Sequence, residues 1–203
     1  MRILYSICGI GLGHATRSNE IIESIKKENE LIIACPSHIK EFINKDCKEI
    51  IEIDFIELSS STKSYDFFKT FKKNAGKIPK IFKRNFELFD EKAFNVDLVI
   101  TDHEITSFLW AKTRNKKTIL ISNVHGIFYS HLIDSTFNPL KIFYTLPLDF
   151  LPTTITSFAD IIINTHIYVP KKKKFLNTYF FGPIIDSKII KKKKQTTKKN
   201  KIL

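Results

Sequence analysis

Two ionisable side chains, far apart in the chain, have the types needed to take a proton from a hydroxyl group. His14 lies in the run Gly9-Ile10-Gly11-Leu12-Gly13-His14-Ala15-Thr16-Arg17-Ser18, and Asp102 lies in Thr101-Asp102-His103-Glu104. A carboxylate on one imidazole nitrogen orients the ring and stabilises its charged form, leaving the other nitrogen to accept the proton. Gly11, Gly13 and Arg17 surround the histidine, and Asn123 and His125 form a third polar group in Asn123-Val124-His125-Gly126. Each has a plainer alternative. A histidine at a helix start is often a hydrogen-bonded structural residue, and three glycines in five residues also suit a tight strand-to-helix turn. Asp102 can cap a helix beginning near Ile105, with Glu104 favouring its positive end. As metal ligands, Asp102, His103, Glu104 and His125 lack HxxxH or CxxC spacing, so no metal is expected.

These residues become a site only if the elements carrying them converge. Arg2 to Cys8 is β-branched and apolar enough for a buried strand, and Ala15 to about Lys27 reads as a helix with Ile21, Ile22 and Ile25 on one face. The glycines fill the turn between, with backbone freedom that lets a ligand approach a helix N-terminus. A dinucleotide fingerprint needs glycine where this chain has His14, which argues for chemistry at the turn instead. Further strands are expected at Glu30 to Cys35, Glu49 to Phe55, Val96 to Thr101, Thr118 to Ser122, Asp160 to Asn164 and Thr178 to Phe181. Helices are expected from Ser37 to Lys45, capped by Ser37, and from Ile105 to Arg114. Short apolar strands alternating with helices imply an α/β fold: a doubly wound, Rossmann-like parallel sheet with helices on both faces. In a 3-2-1-4-5 strand order, Asp102 lies across the switch point from His14.

Two insertions interrupt the alternation. From Ser64 to Phe94, phenylalanines recur at helical spacing with lysines between them; Gly76 can end one helix and Pro79 can sit in the first turn of the next. Such a segment suits a membrane surface or an acidic partner, or it packs its Phe face on the sheet with the lysines solvated. Ile127 to Phe158 is rich in aromatics and prolines and suits either an acceptor wall or core packing.

The formal charge of +12 on 203 residues is unevenly placed. Lys171 to Leu203 holds 12 Lys against one Asp, whereas the preceding 170 residues hold 21 basic and 20 acidic. Without arginine, and without interleaved aromatics apart from Phe175 and the Tyr179-Phe180-Phe181 strand, this lysine-rich stretch reads as a solvated linker, although it also suits polyanions; nucleic acid is not the expected partner. Cys8, Cys35 and Cys47 are unpaired in number and fit reduced thiols and a cytoplasmic setting. No run of 18 apolar residues spans a bilayer, and three glycines and a histidine spoil any signal-peptide reading of the first residues.

The run Gly11 to Ser18 resembles the N-terminal signature of GT-B glycosyltransferases, in the prokaryotic MurG-like and UDP-glycosyltransferase group. Asp97 to Glu104 resembles the family's D-x-V-I-(S/T)-D strand end, Ile119 to His125 its next strand and polar turn, and Phe181-Gly182-Pro183-Ile184 the GP-I that closes its N-terminal domain. The resemblance implies that residues 1–186 form the acceptor-side domain and 187–203 an interdomain linker. It implies His14 as base and Asp102 as its partner, with Gly11 and Gly13 holding acceptor or donor phosphate. Arg17 then contacts that phosphate or structures the turn, and Asn123 and His125 bind substrate. No cofactor is implied; the donor is a nucleotide sugar, UDP-linked, and the acceptor a hydroxyl compound. The family's donor-binding C-terminal domain is expected to be lost by truncation or supplied as a separate chain, with peripheral attachment to a membrane. The rival reading is a non-catalytic scaffold subunit that recruits a catalytic partner to a membrane surface or polyanion.

Overall fold

The computed structural model describes residues 1–43, 47, 49–57, 59, 67–123, 125, 153–166 and 174–185. Its strands are β1 (Arg2–Ile7), β2 (Glu30–Pro36), β3 (Glu49–Ile53), β4 (Leu98–Asp102), β5 (Lys117–Ser122), β6 (Ile161–Thr165), β7 (Lys174–Phe175) and β8 (Thr178–Phe181). Its helices are α1 (Leu12–Ile25), α2 (Ser37–Lys40), α3 (Phe67–Asn74), α4 (Ile78–Lys92) and α5 (Ile105–Thr113). They build one sheet in the order β3-β2-β1-β4-β5-β6-β8-β7, parallel throughout except for the β7–β8 pair. The first five strands take the expected 3-2-1-4-5 order. β7, two residues at the sheet edge, had no signal in the sequence.

The apolar strands are buried on both faces, as a parallel sheet with crossover helices requires. Ile3, Tyr5 and Ile7 of β1 join Ile33, Cys35 and the α1 and α2 residues Ile22 and Ile39 in one core. Leu4, Ile32, Ala34 and Val99 join Phe89 of α4 and Trp110 of α5 in the other. The two-residue alternation along β1 therefore divides the helices between the faces.

Several element ends differ from expectation. α1 begins at Leu12, three residues early, so Gly13 and His14 belong to its first turn. Ser37 does not cap α2: Pro36, the last residue of β2, occupies the cap position, and the helix stops at Lys40. β4 extends to Asp102 because the Cys8 N–H donates to the Asp102 carbonyl at 3.0 Å, prolonging its pairing with β1. Gly76 does separate α3 from α4, and Pro79 does sit in the first turn of α4.

On α4 the apolar face packs inward: Ile81 and Phe89 are buried, and Phe86 lies against the core. The basic residues of α3, of α4 and of the turn between them are partly neutralised. Lys73 and Lys77 pair with Glu57 at 2.6 and 2.8 Å, and Arg84 pairs with Asp54. Among the described residues no helix is long and apolar enough to cross a membrane. The second insertion, apart from 153–158, and the lysine-rich segment 187–203 lie outside the described residues.

Candidate functional site

The glycines of the first turn have three different causes. A Cβ on Gly9 would lie 2.9 Å from both Phe55 and Pro36, so this position needs glycine for close packing. Gly11 alone has a positive φ, 69°, which turns the chain into α1 as its N-cap. Gly13 is helical, and among the described residues nothing lies within 4 Å of a Cβ placed there, so none of them covers this point of the helix N-terminus. Of the three, Gly11 is the one that uses the backbone freedom peculiar to glycine. His38 secures the turn from the side, its Nε2–H donating to the Gly9 carbonyl at 2.9 Å. Beside it opens a groove of about 460 Å³, lined by Gly9, Gly11, Pro36, His38, Asp54 and Phe55 among others.

Within α1, His14, Arg17 and Ser18 share one face, because residues three and four apart are neighbours on a helix. That face meets the end of β4. His14 Nδ1 lies 2.7 Å from Asp102 Oδ1, and the Ser18 hydroxyl donates to Oδ2 at 3.0 Å. Arg17 donates from Nε to Oδ2 at 3.1 Å and from Nη2 to Oδ1, and its Nη1 reaches Thr165 Oγ1 at 3.4 Å. The Tyr5 hydroxyl donates to Ser18 Oγ at 3.3 Å, extending the chain of bonds into the core.

Asp102 is fully buried. Burial pushes its pKa up, but the His14 hydrogen bond and the Arg17 charge outweigh that, and the carboxyl is held below its ordinary value. It is therefore an anion at neutral pH. Arg17 Nη2 also lies 3.2 Å from His14 Nδ1, and two donors cannot bond to each other. The stronger claim is the carboxylate's, so the Nδ1–H points to Asp102 and Nε2 carries the lone pair. Among the described residues Nε2 has no hydrogen-bond partner, and 19% of the His14 side chain is exposed. Burial and the Asp102 charge push the Tyr5 phenol up, so it stays protonated.

Glu104, not Asp102, caps α5. Its carboxylate accepts from Thr106 N at 2.9 Å and Ser107 N at 2.6 Å, leaving Asp102 free for His14. Between them, His103 takes a left-handed backbone conformation, φ 56°, at a cost of about 1–3 kcal/mol for a residue other than glycine. Its ring centroid lies 6.2 Å from that of His14 and 6.0 Å from that of His125. His103 Nε2 is 2.7 Å from Ser122 Oγ, which is 2.8 Å from His125 Nδ1; His125 Nε2 is 3.2 Å from the Thr153 carbonyl. Burial lowers the pKa of His103 to about 3 and that of His125 to about 4, so both are neutral at pH 7.

The structure thus brings His14, Arg17 and Asp102 together at the open N-terminus of α1, with Gly11 and Gly13 beside them. Arg17 is turned inward, its guanidinium engaged by Asp102. His125 is fully buried in its own network, and Asn123 is exposed in the turn after β5. No group of three or more His, Cys, Asp or Glu side chains among the described residues could hold a metal ion. Sequence reasoning missed Ser18, which the i+4 spacing from His14 could have found. It also missed Tyr5 and the bond from His103 to Ser122, for which spacing carries no signal.

No curated protein matches the chain in sequence. Among solved structures it is similar to Acinetobacter baumannii MurG (TM-score 0.54, 10% identity, 88% of this chain and 45% of that one). It is also similar to Phytolacca americana UGT2 complexed with UDP-2-fluoro-glucose and pterostilbene (0.57, 13%, 96% and 57%). A third is the glycotransferase of kitacinnamycin (0.58, 11%, 91% and 52%). The chain spans about half the length of each. These likenesses show the fold, a Rossmann-like sheet shared with the N-terminal domain of GT-B enzymes. The sequence profile described as glycosyl transferase family 1 matches residues 1–203, and the chain belongs to that family.

Proposed function

We propose that this chain forms the acceptor side of a glycosyltransferase, in which His14 is the base for transfer of a sugar from a nucleotide-sugar donor to an acceptor hydroxyl. The observation that carries the reading is the 2.7 Å bond between His14 Nδ1 and the buried Asp102 carboxylate. It leaves Nε2 free to receive the hydroxyl proton as the acceptor oxygen bonds to the anomeric carbon and the bond to the leaving diphosphate breaks. Asp102 stabilises the resulting imidazolium, and Arg17 holds the carboxylate in place. The uncovered helix end at Gly11 and Gly13 suits a phosphate, whose charge its N–H groups attract. A UDP-linked donor is favoured by the UDP-2-fluoro-glucose of the Phytolacca americana structure and by the UDP bound in the similar LpCGTa structure.

Because the chain spans about half of such structures, the nucleotide is assigned to a second domain, in the same protein or in a separate chain. A cytoplasmic setting, peripheral on a membrane, fits the reading. The test is sugar transfer by His14→Ala in the presence of that domain. Loss of a base is expected to reduce the rate about 10²–10⁴-fold, and an unchanged rate would remove the assignment.

The exposed lysines of α3 and α4 favour a second reading, recruitment of a catalytic partner to an anionic membrane surface. Lys72 and Lys80 are exposed beside the Glu57-paired Lys73 and Lys77. Charge reversal at Lys72 and Lys80 is expected to abolish flotation with anionic liposomes if that reading is right. Undiminished flotation counts against it.

A further inference from the structure

The hydrogen bonds behind His103 fix where its protons are. The Ser157 hydroxyl, 3.3 Å from His125 Nε2, gives its proton to the Thr153 carbonyl at 2.8 Å, and that carbonyl can only accept, so His125 Nε2 carries a proton and, the ring being neutral, its Nδ1 is bare. A bare Nδ1 at 2.8 Å requires the Ser122 O–H to donate to it. Ser122 has no second proton to give, so at 2.7 Å it must accept from His103 Nε2–H. His103, neutral, is left with an unprotonated Nδ1.

That nitrogen has no hydrogen-bond partner among the described residues. It belongs to a ring that is edge-on to His14 and only partly buried, on a residue held in a strained backbone conformation next to Asp102. Strain of this kind persists where surrounding contacts impose it and is concentrated at ligand-handling positions. Because the ring is only partly buried, a donor on a ligand can meet that nitrogen. Nor is the chain a proton wire. A proton arriving at His103 Nδ1 would shift one proton at each step and finish at the Thr153 carbonyl, which cannot hold it. The chain is a tautomer lock, and its product is a fixed hydrogen-bond acceptor beside the candidate base.

We propose that His103 is a substrate-recognition residue whose Nδ1 accepts a hydrogen bond from a second hydroxyl of the acceptor, neighbouring the hydroxyl presented to His14. The acceptor is then a polyhydroxylated compound, such as a sugar, rather than an isolated alcohol or phenol. The inference rests on the sugar-transfer reading of His14.

Two measurements test it. Nitrogen-15 NMR of the full chain at pH 7 is expected to show His103 as the Nε2–H tautomer. The Nδ1–H tautomer or an imidazolium there overturns the proposal. The second measurement uses the complete transfer system with UDP-glucose and UDP-N-acetylglucosamine as donors, and methyl glycosides and their monodeoxy analogues as acceptors. His103→Gly, which also relieves the backbone strain, is expected to raise the acceptor KM about tenfold while the donor KM stays within about twofold. Removing the contacted hydroxyl costs the wild type the same factor and the variant nothing further. His103→Asn, which tolerates the same backbone and offers an oxygen acceptor, is expected to recover most of the loss. If wild type and His103→Gly discriminate equally among the deoxy acceptors, this proposal alone fails. A wild type that transfers sugar to none of them overturns the sugar-transfer reading and this one with it.

Discussion

Ile7 and Asp102 are register partners across the parallel pair β1 and β4, so the last residue of the fourth strand lies level with the last of the first. The chain leaves Ile7 through four residues of turn and enters α1, whose first inward-facing polar side chain is His14. The pairing of imidazole and carboxylate is thus set by sheet register together with the seating of α1. Four expectations follow from that arrangement.

Asp102→Asn should destabilise the fold strongly. The buried carboxylate balances Arg17, whose side chain is only 13% exposed, and breaking a buried pair by removing one partner costs about 3–5 kcal/mol. Urea unfolding measures the loss. Because the cost arises from an orphaned charge, Arg17→Met added to Asp102→Asn should restore part of it, whereas additive losses would show that the two side chains are not coupled.

Acid should weaken the fold before the carboxylates titrate. His103 and His125 have folded pKa values of about 3 and 4, below the 6.5 of an unfolded histidine. As pH falls below 6.5 the unfolded chain takes up protons that the folded chain refuses. Stability is therefore full above 6.5 and declines by about 1.4 kcal/mol per pH unit for each histidine. Asp102, with its pKa held down, adds its own loss only at lower pH. Urea midpoints at pH 6.5 and 4.5 should differ in wild type and differ less in His103→Asn. A flat profile contradicts the neutral state of both rings.

The first turn should answer alanine position by position. Gly11→Ala forces a Cβ into a left-handed backbone and should cost about 1–2 kcal/mol. Gly9→Ala meets the rings of Phe55 and Pro36 and should cost about 1–3 kcal/mol. Gly13→Ala, helical and uncrowded, should be neutral or stabilising by up to about 1 kcal/mol. Thermal melts of the three variants give the order; equal losses at all three would refute the separate causes assigned to them.

Glu104→Ala should loosen α5 without touching the Asp102 carboxylate. It removes the acceptor for Thr106 N and Ser107 N, a loss of about 1–2 kcal/mol. Amide hydrogen exchange should quicken at Thr106 and Ser107 while the imidazole signals of His14 stay in place. A shift of the His14 signals would mean that cap and site are one unit.

Much of this was readable from residue patterns. The β-branched runs and their spacing carried the parallel sheet, and the 3-2-1-4-5 order placed Asp102 opposite His14. What escaped was of two kinds. Element ends moved by a few residues: the β1 pairing carried β4 on to Asp102, and the positive φ at Gly11 let α1 start early. The second kind was hydrogen bonding between distant residues. Nothing in the spacing of His103, Ser122 and Thr153 announces a shared chain of protons, and Arg17, which the resemblance assigns to a phosphate or to structuring the turn, is engaged by a carboxylate 85 residues away.

The seating of α1 places two features on one rigid body. The N–H groups that follow Gly11 and the side chains gripping Asp102 sit on the first two turns of the same helix. In the proposed reading, an anion at that helix end and the imidazole therefore keep a fixed spacing, with no joint between them.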